Sequence, residues 1–281
     1  MTRPSSVLCP SCGTLVGAKD AQCLNCGRRY PGMWGLASLV RHVGDDMGFA
    51  MLVIWACSAL YLACLASDPE GIRNSGLMSF LSPSIESLFL FGASGAAPVF
   101  RFGHWWTVLS AGWLHGSVLH ILFNMLWVRD LAPPTARLYG PGRTVIVYTV
   151  AGVCGFAASS LASLVPFLPP FLRGAGFTVG ASAPIFGLIG ALLHYGRRGG
   201  SSHIGQQAKS LAITMLLFGF VMPGIDNWAH LGGLGGGYLA AKLLDPLRPE
   251  RGNHILAALA CLVLSLVSIG VSVSTGLRIL R

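Results

Sequence analysis

The 281-residue sequence has little charge, and acidic residues are especially few. Charged side chains make up 10% of the chain, with ten Asp and Glu against 19 Lys and Arg, whereas a soluble domain has about 25% charged residues. Hydrophobic residues make up 53%. So few charges exclude an ordinary water-compatible surface, and the composition therefore predicts an integral membrane protein embedded in a lipid bilayer.

The sequence also lacks a dense basic patch, although its formal net charge is +9. Its Lys and Arg residues stand singly or in pairs between apolar runs, which fits the loops of a membrane protein better than a nucleic-acid surface. The N-terminus lacks the basic-then-apolar order of a cleavable signal peptide. We therefore expect no nucleic-acid partner and no cleaved leader.

Seven stretches are predicted to cross the membrane, since about 20 apolar residues span a bilayer as a helix. They are residues 48–67, 105–128, 144–164, 180–196, 210–222, 227–241 and 255–277. Spans four to six are short and rich in glycine. Residues 68–104 are predicted to be a loop with short helices in the membrane surface. The expected fold class is an all-α polytopic membrane protein.

Basic residues alternate in density between successive inter-span segments. Alternate segments carry 14 and five Lys and Arg residues, and the richer set lies on the cytoplasmic side by the positive-inside rule. This pattern predicts a cytoplasmic N-terminus and an extracytoplasmic C-terminus, in what we expect to be a bacterial inner (plasma) membrane.

Two Cys-X2-Cys pairs occupy the N-terminus, Cys9 with Cys12 and Cys23 with Cys26, each followed by glycine. Four thiolates at this spacing suit one tetrahedral structural zinc, with iron as the minor alternative. A cytoplasmic location disfavours disulfides. We predict a zinc-ribbon-like module at 1–32, a linker at 33–47 and a membrane domain at 48–281. The module could stabilise the N-terminus, regulate the membrane domain or bind a cytoplasmic partner.

Polar residues inside the spans are costly and therefore indicate function. His120 and Asn124 are four residues apart and share a helix face, from which both could direct donors at a developing oxyanion. His230 lies about one turn into span six, before overlapping Gly-X3-Gly pairs that permit close helix approach. It is the expected base for a weak serine nucleophile, whereas Asp226 is interpreted as the N-cap of span six.

Two similar stretches offer a candidate nucleophile. The letters GASG begin at Gly92 and contain Ser94, while GASA begins at Gly180 and contains Ser182. The first matches a Gly-X-Ser-Gly pattern better, but it lies in the predicted loop. The second opens span four at the predicted membrane depth of His230, where free helix amides could hold negative charge. Ser182 is therefore the predicted nucleophile.

Three stretches together resemble the rhomboid family of intramembrane serine proteases. They are HWWTVLSAGWLHGSVLHILFN, GASAPIFGLIGA and NWAHLGGLGGG, in family order, within residues 103–242. The resemblance implies a six-helix core, here followed by an extra helix at 255–277. It also implies a Ser-His dyad without an essential aspartate, with no catalytic cofactor, that cleaves transmembrane segments of substrate proteins near the outer membrane face.

Carried over by position, the resemblance makes Ser182 the nucleophile and His230 the general base, with His120 and Asn124 stabilising the oxyanion. The supporting motif positions are His115, Gly180 and Trp106. The sequence departs from the family pattern twice, with Thr107 in place of an arginine and Ala183 in place of a glycine. A catalytically inactive, client-binding relative is the alternative, and an intramembrane transporter is a more remote one.

Overall fold

The computed structural model describes residues 6–9, 12–31, 45–167, 169, 173–222 and 224–279. Within these residues it contains a two-stranded hairpin and nine α-helices. Strands β1 (Ser6–Leu8) and β2 (Leu15–Gly17) pair antiparallel. The helices are α1 (Phe49–Ser67), α2 (Ile85–Phe91), α3 (Thr107–Ser110), α4 (Val118–Tyr139), α5 (Pro141–Ala162), α6 (Ser182–Arg197), α7 (Ser202–Val221), α8 (Asn227–Leu243) and α9 (Gly252–Ile279).

Four helices are long and apolar enough to cross a membrane by length and composition, namely α1, α5, α7 and α9. The other three long helices overlap predicted spans but are less clear as isolated segments. Helices α6 and α8 have 16 and 17 residues, and α4 carries Arg129 and Asp130 in its interior. The predicted all-helical membrane architecture is confirmed.

The long helix expected at span two, residues 105–128, lies further along the chain than predicted. Its first half forms the short helix α3 and a 3-10 turn at Ala111–Trp113, and the long helix α4 begins only at Val118. Ser117 caps that start by accepting a hydrogen bond from the His120 amide at 3.3 Å. Hydropathy cannot separate an apolar segment that faces protein from one that faces lipid, which explains the displacement.

The prediction for span five, residues 210–222, began too late. Helix α7 starts at Ser202, where Ser201 accepts a hydrogen bond from the Ile204 amide. Its first turns carry polar residues that a search for apolar runs rejects, although a helix continues through polar residues wherever its backbone bonds are made. Within the predicted linker and module, residues 1–5, 10, 11 and 32–44 lie outside the described residues.

Helix α6 occupies the centre of the bundle, where most of its residues are buried and only Arg197 is exposed. Glycines on the neighbouring helices let their backbones reach it. A Cβ added to Gly233 or Gly237 of α8 would collide with the backbone of Ala183 or Gly187 of α6. Small residues at helix interfaces permit this approach in a membrane protein, where packing rather than water exclusion drives association. The predicted close partner of α8 is therefore α6.

The last helix is tied to the core at the end of the bundle where α4 stops and α5 starts. Glu250, just before α9, accepts a hydrogen bond from the Arg143 amide at 2.9 Å. The buried Arg143 guanidinium donates to the carbonyls of Arg248 and Pro249, each at 2.7 Å. Because these bonds satisfy a buried charge, they attach the extra helix firmly to the α4–α5 turn.

Candidate active site

The structure brings Ser182 and His230 together at the end of the bundle where α6 and α8 begin. His230 Nε2 lies 2.9 Å from Ser182 Oγ, which is hydrogen-bond distance. The imidazole stacks on Phe186, with ring centroids 4.3 Å apart and planes 21° from parallel. Sequence reasoning missed Phe186, although it lies four residues after Ser182 and so shares its helix face. This contact fixes the orientation of the imidazole.

Asp226 caps α8 and does not orient the His230 ring. One carboxylate oxygen accepts a hydrogen bond from the Ala229 amide at 3.0 Å, and the other accepts one from the Ser159 hydroxyl at 2.5 Å. His230 Nδ1 is buried and makes no hydrogen bond within the described residues. The predicted N-cap therefore agrees with the geometry, and the two-residue arrangement contains no third carboxylate partner among the described residues.

His120 and Asn124 lie side by side against Gly180. A Cβ added to Gly180 would be 2.6 Å from His120 Nε2 and 3.7 Å from Asn124 Nδ2, and Gly180 has φ +130°. Both features require glycine there. His120 Nδ1 accepts a hydrogen bond from the Gly116 amide at 3.3 Å. A neutral ring that accepts at Nδ1 carries its proton on Nε2, which makes Nε2 a donor towards the site.

The start of α6 is held by His115 and offers free amides. His115 is fully buried, and its Nε2 accepts from the Ala181 amide at 3.5 Å, the long limit for a hydrogen bond. Ser182 and Ala183 are the first residues of the helix, so their amides have no partner one turn earlier. A helix N-terminus also carries partial positive charge. Negative charge near Ser182 Oγ would thus face donors from two elements, the His120 and Asn124 side chains of α4 and the first amides of α6.

Ser94 lies in a different environment from Ser182. It is fully buried in the segment before α3, where its backbone pairs with Thr178 through hydrogen bonds of 3.1 and 2.8 Å. Its Oγ accepts a hydrogen bond from the Thr107 hydroxyl at 3.3 Å. The GASG stretch consequently braces the strand-like segment that leads to Gly180. It does not bring its serine to His230.

Trp106 and His104 form part of an aromatic stack beside α9. The His104 ring stacks on Trp106 at 4.7 Å and on Phe89 at 5.3 Å, so this histidine is held between two rings. Trp106 Nε1 donates to the Ser272 hydroxyl at 3.0 Å. Sequence reasoning missed Ser272, since a serine in an apolar helix commonly bonds a carbonyl of its own helix.

His194 is buried near the C-terminal end of α6. Its Nδ1 lies 3.1 Å from the Tyr139 hydroxyl at the opposite end of α6 from Ser182. It is therefore part of the helix packing far from the candidate active site.

The four N-terminal cysteines converge on one point. Their Sγ atoms all lie within 4.8 Å of one another, with Cys9 and Cys26 3.6 Å apart and Cys12 and Cys23 3.7 Å apart. A tetrahedral zinc with Zn–S bonds of about 2.3 Å separates its sulfur ligands by about 3.8 Å. The donor set and spacing thus fit one structural zinc, and the predicted zinc-ribbon-like module is confirmed as a four-cysteine cluster.

The backbone around the cysteines forms two matching turns. The amides of Gly13 and Gly27 donate to the carbonyls of Cys9 and Cys23, each at 2.9 Å, and both glycines have positive φ near 72° and 73°. Hydrogen bonding with Thr14 lowers the pKa of the Cys12 thiol to about 6, whereas desolvation raises the pKa of the Cys26 thiol to about 12. The thiolate is the form that binds metal, so Cys12 is the more readily deprotonated of these two candidate ligands.

Comparisons with known proteins identify relatives of this helical bundle. The Rhomboid domain family matches residues 102–246. The chain is 34% identical to rhomboid protease GluP of Bacillus subtilis over 188 residues, covering 66% of this chain and 35% of that protein. It is 32% identical to RHOMBOID-like protein 4 of Arabidopsis thaliana over 184 residues, covering 64% and 44%. RHOMBOID-like protein 7 of the same plant is 34% identical over 171 residues, covering 58% and 50%.

These features define a polytopic helical membrane protein with a part-buried Ser/His pair. Since the family match covers just over half of its residues, the chain belongs to the rhomboid family. It spans half or less of the length of these three curated relatives. The matched domain ends before α9 and begins after the cysteine module, so both of these parts lie outside it.

Proposed function

We propose that the protein is an intramembrane serine endopeptidase that cleaves transmembrane segments of membrane proteins. The observation that carries the proposal is the 2.9 Å contact between His230 Nε2 and Ser182 Oγ inside a rhomboid domain. A relative named as a rhomboid protease supports the reaction class. A serine hydroxyl becomes a useful nucleophile only beside a base, and the imidazole is the group positioned to be that base.

In the first step, Ser182 Oγ attacks the carbonyl carbon of the scissile peptide bond, and its proton passes to His230 Nε2. The carbonyl oxygen becomes an oxyanion, which His120 Nε2–H, the Asn124 amide group and the backbone amide of Ser182 stabilise. Such donors contribute most when they are fixed before charge develops. Gly180 keeps the space between them free of a side chain.

The tetrahedral intermediate collapses when the C–N bond breaks and protonated His230 gives its proton to the leaving amine. The product is an acyl-enzyme on Ser182 and a released fragment. Water then attacks the ester carbonyl while His230 accepts its proton, and the second collapse returns that proton to Ser182 Oγ. Stacking on Phe186 holds the ring in one orientation through both steps, and no cofactor is needed.

We further propose that the N-terminal module holds one structural zinc on the cytoplasmic side of a plasma membrane, and that Ser182 lies towards the outer face. The density of basic residues supports this orientation. Cys9, Cys12, Cys23 and Cys26 would hold the metal, which would cross-link the two turns of a module too small to have much of a hydrophobic core.

The deciding test for the protease is labelling of purified protein by a serine-directed fluorophosphonate probe, followed by membrane proteomics. We expect wild type to be labelled and both Ser182→Ala and His230→Ala to be unlabelled while remaining folded. Cells with the wild-type protein should release ectodomains that cells with Ser182→Ala retain. A folded wild type without labelling or release would favour an inactive, client-binding relative.

A further inference from the structure

Helix α9 buries an unusual polar stripe. Its buried residues are Ala258, Ser265, Ser268, Ser272 and Gly276. Their spacing of three, four or seven residues places them on one face. The other faces expose large apolar side chains such as Leu256, Leu266 and Val267. On the packed face of a helix in lipid, serines permit close approach of a neighbour, and their hydroxyls can also bond across to it.

Two of these serines bind one residue, Trp106. The Ser268 hydroxyl donates to the Trp106 carbonyl at 2.7 Å, and Trp106 Nε1 donates to the Ser272 hydroxyl at 3.0 Å. The Ser272 hydroxyl in turn donates to the Ser268 carbonyl at 2.9 Å. The tryptophan is thus held at both its backbone and its ring, by a helix more than 160 positions away in the sequence.

The segment before Trp106 is packed against the same helix. A Cβ added to Gly92 would lie 2.6 Å from the Ser272 hydroxyl, and Gly92 has φ +101°. The Gly92 carbonyl accepts from the Ser110 hydroxyl at 2.7 Å. A Cβ added to Gly276 would lie 3.0 Å from the Leu90 side chain. Helix α9 therefore contacts α2, α3 and the segment between them, residues 92–106.

That segment also pairs with the residues that lead to Ser182. Ser94 and Thr178 exchange two backbone hydrogen bonds, and the Ala96 and Ala97 amides donate to the carbonyls of Ala175 and Gly176 at 3.0 and 3.1 Å. After α3, the Ala111 carbonyl accepts from the Gly180 amide at 3.0 Å. Two continuous paths of contacts therefore run from α9 to the start of α6.

Thr107 contributes a contact within this segment and none to α9. Its hydroxyl lies 2.7 Å from the His104 carbonyl, which accepts its shorter hydrogen bond, and 3.3 Å from Ser94 Oγ. The links from this segment to other parts of the bundle include those to α9 and the pairing with residues 175–178.

We propose that α9 is a positioning element for the Ser182 site. Through Ser268 and Ser272 it fixes Trp106 and, with Trp106, the segment that pairs with residues 175–178 before the nucleophile. This inference rests on the proposed protease function. Trp106 and the two serines act through the backbone near Gly180 and do not contact the reacting atoms.

A double-mutant cycle tests the inference. Trp106→Phe and Ser272→Ala each remove one partner of the same hydrogen bond. We expect each to lower kcat by about five- to tenfold, the equivalent of one hydrogen bond, with KM changed by less than about twofold. The double variant should be no slower than the slower single variant. Normalising kcat to sites titrated with the fluorophosphonate probe removes the contribution of unfolded protein.

Ser274→Ala is the matched control, because Ser274 is exposed on the same helix and its hydroxyl bonds only the Val271 carbonyl. It should leave kcat unchanged. The inference is overturned if the two single effects multiply in the double variant, or if normalised kcat is unchanged in both. Should wild type itself lack labelling and cleavage, the proposed function fails. The same cycle measured by thermal unfolding then still shows whether Trp106 and Ser272 are coupled.

Discussion

His230 Nε2 lies 2.9 Å from Ser182 Oγ. The acidic residue nearest to His230 in the sequence, Asp226, instead accepts hydrogen bonds from the Ala229 amide and the Ser159 hydroxyl. His230 and Ser182, the proposed base and nucleophile, therefore form a pair in which packing on Phe186 takes the orienting role that a carboxylate has in a triad. This arrangement suits a membrane interior, where an additional buried charge would be costly.

The Asp226 carboxylate is predicted to matter for stability and not for chemistry. Asp226→Ala removes the N-cap of α8, so we expect the free energy of unfolding to fall by about 1 kcal/mol. Asp226→Asn keeps a capping oxygen and should recover most of that loss. Thermal unfolding in detergent measures both.

The kinetic outcome of the same variants separates a cap from a third catalytic residue. We expect kcat per titrated active site to stay within about threefold of wild type in Asp226→Ala, because a cap acts on the helix and not on the imidazole. A loss approaching about 10⁴-fold, as for the aspartate of a triad, would show that the carboxylate serves His230 directly.

The two glycine–serine stretches are predicted to differ completely in reactivity. Ser182→Ala should abolish fluorophosphonate labelling and lower cleavage by about 10⁴-fold or more. Ser94→Ala loses only the contact with the Thr107 hydroxyl and keeps its backbone pairing with Thr178. We therefore expect it to remain labelled at a rate within about threefold of wild type, the kinetic scale of losing one weak hydrogen bond. Labelling that depends on Ser94 and survives Ser182→Ala would reverse the assignment.

Sequence reasoning located the polar residues of the candidate site because polar groups are conspicuous in apolar helices. Ser182, His120 and His230 each carry a group that is costly to bury without a purpose. Phe186 and Ser272 were missed for the opposite reason. A phenylalanine in a span looks like packing, and a single serine is assumed to bond within its own helix.

The displaced span at residues 105–128 shows a second limit of sequence reasoning. Its apolar first half packs on protein, with Trp113 and Leu114 buried, and its helix continues through Arg129 and Asp130 to Tyr139. Hydropathy measures the free energy of transfer out of water. It does not distinguish a segment that packs on protein from one that packs on lipid. Helix α4 begins where the Ser117 side chain caps it, and this hydrogen bond is seen only in the three-dimensional structure.

The cysteine module is predicted to bind one zinc per chain. Metal analysis of the purified full-length protein should find about one zinc per molecule. Cys23→Ser should lose it, since three thiolates hold zinc far less well than four. Cys261→Ala, in the middle of α9, is the matched control and should retain the metal. Iron in place of zinc, or equal metal content in the two variants, would contradict the prediction.

Two glycines of α8, only two residues apart, are predicted to respond oppositely to alanine. A Cβ on Gly233 would collide with the Ala183 backbone beside the nucleophile, whereas a Cβ on Gly235 meets nothing within 4 Å. Gly233→Ala must therefore push α8 away from α6, and overpacking of this kind costs about 1–3 kcal/mol. Gly235→Ala should leave stability unchanged or raise it by up to about 1 kcal/mol, since alanine is the better helix former.

The same pair of variants reports on the distance between His230 and Ser182. Because His230 lies less than one turn before Gly233, moving α8 lengthens the contact on which activation of the serine depends. We expect Gly233→Ala to be labelled by the fluorophosphonate at least about tenfold more slowly per folded molecule, and Gly235→Ala to match wild type. Equal labelling of the two variants would mean that the approach of α8 to α6 does not set the reactivity of Ser182.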